Sequence, residues 1–304
     1  MSFLNQHQMG LGTWAWGKGP VWGFGKGYTE QDLRETFRAS LKAGISLFDT
    51  AEVYGDGESE TFLGRFTKEQ PTEKIYVATK FAPMPYRLST SLLLKALKAS
   101  LTRLGLNSVD LYQMHWPSPP RSIKAWMEPM AVAIKEGLAK EIGVSNFNPD
   151  QMRRAQDALA KFRVSLTSNQ VQYSLVRRKN EFNGLLEECK KAGVRFVAYS
   201  PLGMGMLSGK YSPQNPPPGP RRLFYFGQLG RIQTLVQKLK ELGASHGGKT
   251  VNQVALNWVI CKETLPIPGA KNAAQAKENA GAMGWHLNPA EVAELDEASS
   301  SFKG

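Results

Sequence analysis

The chain has 304 residues, 41% hydrophobic and 21% charged, a globular mixture that excludes wholesale disorder and is long enough to bury a core without staples. Lys plus Arg is 38 against 26 for Asp plus Glu, a net charge of +12 that favours anionic ligands. The basic residues are scattered, with knots only at Arg153-Arg154, Arg177-Arg178-Lys179 and Arg221-Arg222, so no nucleic-acid module is expected. Apolar runs such as VALNWVIC stop short of the ~18 residues of a membrane helix, and MSFLNQHQMG lacks a secretory pattern. Cys189 and Cys261 provide neither a disulfide framework nor a metal cluster. These features predict a protein of a reducing compartment, in the cytoplasm or in the plastid stroma after loss of a leader, working as a monomer or weak oligomer.

In chain order, β-type runs fall near residues 9–12, 45–48, 75–78, 109–114, 139–144, 166–171, 194–199 and 265–267. Amphipathic helical stretches separate them at 30–43, 59–67, 90–104, 123–135, 149–161, 180–192 and 250–261, several ending in a glycine stop. A recurrence of about 30 residues is the size of a βα unit, and eight of them predict a (β/α)8 TIM barrel. A doubly wound sheet is the alternative that spacing alone leaves open. Between the last two strands lie about 65 residues, including NPPPGPRR and an extra helix at 229–245; the prolines predict a long loop over the barrel top. With no repeat or linker, residues 1–304 read as one domain.

Polar residues gather where these strands end, the face on which barrels build their sites. Asp49 follows the second strand with Tyr54 five residues on, Lys80 follows the third, and His115 follows the fourth. Singly they read as an N-cap, a packed ring, a solvated amine and a core histidine. Their placement at successive strand ends points to chemistry.

With these residues the sequence resembles the aldo-keto reductases along nearly its whole length. GTWAWG, LFDTAEVYG, VATKF, LYQMHWP, IGVSNF, NQVQYS, YSPLG and IPGAKN…EN follow the family's order. GTWAWG…WGFG and NWVICKETLPIPGAK look most like a plant and cyanobacterial branch that includes pyridoxal reductases. The departure is at the front, where so few residues precede GLGTW that the hairpin closing the barrel bottom in the family is expected to be short or missing.

The resemblance implies a tetrad of Asp49, Tyr54, Lys80 and His115. Carbonyl reduction needs hydride at carbon and a proton at oxygen, the latter from Tyr54 as general acid. A Lys80 ammonium ~4 Å away would supply ~4 kcal/mol at an effective dielectric of ~20, enough to lower a phenol by ~2 units. Asp49 would keep Lys80 charged, and His115 would orient the carbonyl oxygen.

The same resemblance implies NADPH. Ser145, Asn146 and Gln170 would hold the carboxamide, and Tyr199, with Ser200 beside it, would stack on the nicotinamide. Gly12, Thr13 and Trp14 would lie under the cofactor. Leu202, Gly205, Leu207, Gly209 and Lys210 would line the pyrophosphate. At the helix N-terminus after the eighth strand, Gly269, Lys271, Asn272 and Gln275 would take the 2′-phosphate, with Glu278 and Asn279 on the adenine. GMGMLSG is not a Rossmann fingerprint, because prolines follow where a helix must begin. Trp14, Trp16, Trp22, Trp116, Phe224 and Tyr225 are the aromatic candidates for a pocket taking flat aldehydes, pyridoxal among them. The alternative class is a cofactor-sensing regulatory subunit with slow chemistry.

Overall fold

Eight short runs, buried on both faces, each hydrogen-bond to the next in sequence. They are β1 (Leu11–Gly12), β2 (Leu47–Asp49), β3 (Tyr76–Phe81), β4 (Val109–Met114), β5 (Ala139–Ser145), β6 (Leu166–Gln172), β7 (Arg195–Tyr199) and β8 (Leu265–Ile267). All pairings are parallel. The computed structural model describes residues 2–19, 21–87, 89–119, 121–219, 221–225 and 227–302. The ring closes where Gly10 N and Gly12 N donate to the Pro266 and Pro268 carbonyls, each at 3.0 Å. A Cβ on Gly12 would lie 2.9 Å from the Ile267 carbonyl oxygen, so glycine permits this seam. The chain is a (β/α)8 TIM barrel.

The outer layer comprises α1 (Glu30–Lys42), α2 (Glu58–Lys68), α3 (Ser91–Leu104), α4 (Ile123–Lys135), α5 (Pro149–Ala160), α6 (Lys179–Phe182), α7 (Leu185–Ala192), α8 (Arg221–Phe224), α9 (Leu229–Ser245), α10 (Val251–Cys261), α11 (Ala273–Ala280) and α12 (Pro289–Ala298). Reciprocal capping boxes start four of them, from Thr29, Asn148, Thr250 and Asn288. Three helices differ from the sequence reading, the first being α8, one turn inside the stretch read as loop. The stretch 180–192 is broken into α6 and α7 at Gly184, which adopts φ +80. The α12 helix was not anticipated, although Asn288 with Glu291 was its sign. The extra helix after β7 is α9, and no helix among the described residues is long and apolar enough to cross a membrane.

The barrel interior changes character within one step along β2, β3, β4 and β7. Leu47, Ala78, Leu111, Val197 and Leu265 form a buried apolar layer with Ile267. Two residues further along their strands stand Asp49, Lys80, Gln113 and Tyr199, because alternate strand residues share a face. Ser168 and Gln170 keep the same parity on β6. The lower layer is therefore a packed plug and the upper layer a floor of polar groups.

At the barrel bottom the first described residues pack against the strands. Residues Phe3–Gln6 form a 3₁₀ turn that inserts Leu4, 1% exposed, into the apolar layer. Phe3 stacks on Tyr76 at 5.0 Å, and Phe3 N donates to Glu141 Oε1 at 3.1 Å. Leu4→Ala should therefore cost about 2–5 kcal/mol, the range for emptying a packed leucine site, read as a lower urea midpoint at unchanged slope.

Candidate active site

Lys80, fully buried on β3, has three ammonium hydrogens and three acceptors. It donates to Asp49 Oδ1, to the Thr50 carbonyl at 2.7 Å and to the Tyr54 hydroxyl at 3.4 Å. With Lys80 donating to it, the Tyr54 oxygen keeps its own hydrogen for an acceptor outside the network. Burial opposes charge on Lys80, but Asp49 and Tyr54 outweigh it and hold the amine above its ordinary range. Tyr54 departs from the sequence expectation. Burial pushes the phenol up by more than Lys80 pulls it down, so its pKa is raised, not lowered. The pair energy was legible from residue types; the desolvation opposing it depends on the surroundings.

His115 follows β4, its ring 5.8 Å from that of Tyr54 and edge-on, and 4.6 Å from Trp116. Burial, aided by Lys80, pulls its pKa down to about 3, so it is a neutral imidazole at physiological pH. Its Nδ1 is buried without a protein partner.

The second cluster sits beside this one. Ser145 Oγ donates to the Gln170 carbonyl at 2.7 Å, and a register irregularity between Ile142 and Gly143 sets how β5 delivers it. Asn146, at φ +61, donates to the His115 carbonyl at 3.1 Å and accepts from the Tyr199 hydroxyl at 3.1 Å. Burial, with Tyr54 and Tyr225 adding to it, pushes Tyr199 up to about 12. Ser200, at φ +50, turns the chain out of β7. Thr13 is fully buried, its hydroxyl donating to the Asp49 carbonyl at 3.1 Å and sharing a hydrogen with Ser59 at 2.7 Å. It braces β2 from below.

Around Trp22 and Tyr211 three cations converge. Lys271 Nζ donates to the Trp22 carbonyl at 3.1 Å and lies 4.9 Å from the Trp22 ring. Arg221 lies 5.4 Å from that ring too, and 5.6 Å from Tyr211, which Lys210 meets at 5.1 Å. Among the described residues none of the three pairs with a carboxylate. Burial, then Arg221 and Lys210, pulls Lys271 down to about 8. The Arg221 Nε is buried and unpartnered. Arg221 was missed as a site residue: it was visible only as half of a basic pair after the prolines, and nothing there signals burial.

Other expected phosphate and adenine residues serve the protein's own framework here. Asn272 caps α11 by accepting from Gln275 N at 2.9 Å, and Gln275 Oε1 accepts from Lys271 N at 2.9 Å. Glu278 accepts from Asn252 at 3.1 Å, and Asn279 donates to the Gly269 carbonyl at 3.3 Å. Leu207 is fully buried and Leu202 half-buried, which leaves backbone as what they can offer an anion. Gly205 lies against Tyr211 and Arg221, and Gly209 against Val236.

Trp14, Trp22, Val21, Val53 and Gly55 line a cleft beside Tyr54, and Trp14 and Trp22 meet edge-to-face at 5.3 Å. Trp116 is half-exposed beside His115. Trp16 is a correction: it is fully buried between Phe48 and Phe66 and donates its indole hydrogen to the Ala270 carbonyl at 3.1 Å, so it is core. Tyr225 is likewise buried, against Arg177, and does not reach the mouth of the cleft. The side chain of Phe224 lies outside the described residues.

The chain as a whole has known relatives. The aldo/keto reductase family model matches residues 8–300. Pyridoxal reductase, chloroplastic, from Arabidopsis thaliana is 40% identical over 98% of this chain and 85% of its own. The glycerol dehydrogenase AKR11B4 from Gluconobacter oxydans superposes with a TM-score of 0.84 at 27% identity, covering 97% of this chain and 92% of its own. An aldo/keto reductase from Klebsiella pneumoniae, solved in complex with NADP and acetate, gives 0.72 at 26% identity over 95% and 90%. The chain therefore belongs to the aldo/keto reductase family.

Proposed function

We propose that this protein reduces aldehydes and ketones to alcohols at the expense of NADPH, with Tyr54 as the general acid and pyridoxal as its leading substrate. The observation that carries the reading is the saturated Lys80 ammonium, whose third hydrogen goes to the Tyr54 oxygen and so frees the phenolic hydrogen. A bound reduced nicotinamide supplies the hydride. Tyr54 gives its proton to the carbonyl oxygen, and Lys80 stabilises the phenolate left behind. His115, neutral, offers one ring hydrogen to the same oxygen and fixes its approach. The raised pKa of Tyr54 keeps the acid protonated throughout the neutral range.

The residues fit the cofactor on two counts. Three cations without a carboxylate partner suit an anion with several charges, and the buried, unpartnered Arg221 Nε offers it a donor. Ser145, Asn146 and Gln170 supply amide and hydroxyl groups next to Tyr199, as a carboxamide requires. Pyridoxal is favoured by the name of the 40% identical relative and by the Trp14–Trp22 cleft, which suits a flat ring. We place the reaction in the cytoplasm or, as that relative's chloroplastic name suggests, in the plastid stroma.

The test is NADPH oxidation against pyridoxal, 4-nitrobenzaldehyde and methylglyoxal. Pyridoxal should lead in kcat/KM. A broad, weak response would overturn the substrate assignment in favour of general carbonyl clearance. Tight NADPH binding without turnover on any carbonyl would overturn the reductase reading and favour a cofactor-sensing subunit.

A further inference from the structure

Behind the site lies one buried polar side chain that the reaction as described does not use. Gln113, fully buried on β4, shares the inward parity of Leu111 and His115. Its Nε2 donates to Asp49 Oδ2 at 2.9 Å. Its Oε1 accepts from Gln170 Nε2 at 3.2 Å, and the same Gln170 nitrogen donates to Asp49 Oδ2 at 2.8 Å. A carboxylate only accepts, so Asp49 dictates that both glutamines face it with nitrogen. Both hydrogens of Gln170 Nε2 are then used, and its carbonyl oxygen is left as the acceptor for a ligand. Space for this is built in on β5. A Cβ on Gly143 would lie 3.0 Å from Gln113 Cγ and would run into Ser168 Oγ.

We propose that Gln113 is a positioning residue that couples the cofactor end of the site to its proton-donating end, fixing the Gln170 amide and the Asp49 carboxylate in one mutual orientation. The inference rests on the reductase reading for its kinetic consequences. Gln170 keeps its oxygen available to a carboxamide N–H because Gln113 Oε1 takes its second hydrogen. Asp49 keeps Lys80 on Tyr54 with one carboxylate oxygen while two amides satisfy the other. Without Gln113, the charge of Asp49 bears more fully on the groups that feel it, Lys80 from β3 and Tyr54 from the turn after β2; His115 at the end of β4 feels Lys80, and Tyr199 on β7 feels Tyr54.

Two substitutions in the full chain separate the two halves. Gln113→Met keeps the volume and removes every hydrogen bond. Gln113→Glu keeps an acceptor for Gln170 and makes donation to Asp49 depend on protonation. The readouts are the thermal midpoint, the NADPH Kd from fluorescence quenching, and kcat against pH. Gln113→Met should weaken NADPH several-fold, lower kcat about tenfold and move the basic limb of the profile upward. Gln113→Glu should hold NADPH near the parent value. Its turnover should approach the parent's at low pH, where the introduced carboxyl is protonated and donates as the amide did, and fall as that carboxyl ionises beside Asp49. Should Gln113→Met not fold, the pH-dependent rescue in Gln113→Glu decides alone. Parental Kd and pH profile in both variants, or losses that only track the folded fraction, would overturn the proposal. A parent inactive on every carbonyl overturns the reductase reading instead, and the NADPH Kd of the variants still decides the Gln170 half.

Discussion

Tyr54→Phe should lower kcat for aldehyde reduction by about 10²–10⁴-fold, the usual worth of a positioned general acid, while NADPH binds as in the parent. The substitution removes one oxygen and keeps the ring, so the edge-on contact with His115 persists. The hydroxyl it deletes carries the acidic hydrogen that the network leaves free, since Lys80 uses all three of its own. The cations expected to meet the cofactor's phosphates, Lys210, Arg221 and Lys271, stand on Trp22 and Tyr211 and not on this oxygen, which is why affinity should survive. The pH dependence has a definite sign. Reduction needs the protonated phenol, and burial holds Tyr54 above its ordinary value, so parental activity should be flat through neutrality and fall only as pH rises through that raised pKa. In Tyr54→Phe this basic limb should vanish along with most of the turnover. Stopped-flow NADPH oxidation at several pH values checks both statements, and parental rates in the variant would falsify the acid assignment.

Asp49, Lys80 and His115 were legible as polar residues at successive strand ends. The structure supplies the reason they meet: each stands at an even number of residues from an apolar inward position, so that all three turn to one interior. The same parity marked Gln113, but an uncharged amide among apolar neighbours raised no suspicion by residue type. GTWAWG shows the limit of counting aromatics. Trp14 and Trp16 are two apart in a loop, where no period says which turns inward, and tertiary packing sends Trp16 between Phe48 and Phe66 while Trp14 stays 42% exposed. The insertion of Leu4 at the barrel bottom was not legible, because a four-residue 3₁₀ turn has too little pattern to be read. Desolvation was the other invisible quantity. It reverses the direction expected for Tyr54 and brings Lys271 down to about 8.

Arg221→Ala and Lys271→Ala should each weaken NADPH by about 10–100-fold, the worth of a charge-assisted hydrogen bond in a partly buried site, while at least one of them leaves NADH within a few-fold of the parent. The variant that spares NADH identifies the 2′-phosphate contact, and a variant that weakens both nucleotides alike identifies the pyrophosphate contact, which they share. Lys271 is expected to be the first kind, because it stands at the start of α11 beyond β8. Arg221, beside Gly205 and Tyr211, is expected to be the second. Lys271 adds a pH signature. Its ammonium is pulled down to about 8 in the free protein by burial and by the two neighbouring cations, so NADPH affinity should be steady below that pH and decline above it as the amine loses its proton. A bound phosphate would raise that pKa again, so binding near pH 8 should take up protons, measurable as a buffer-dependent heat in calorimetry. Lys271→Ala should abolish both the decline and the buffer dependence. An unchanged NADPH/NADH ratio in both variants would place the phosphate contact elsewhere and leave the three-cation cluster without its proposed ligand.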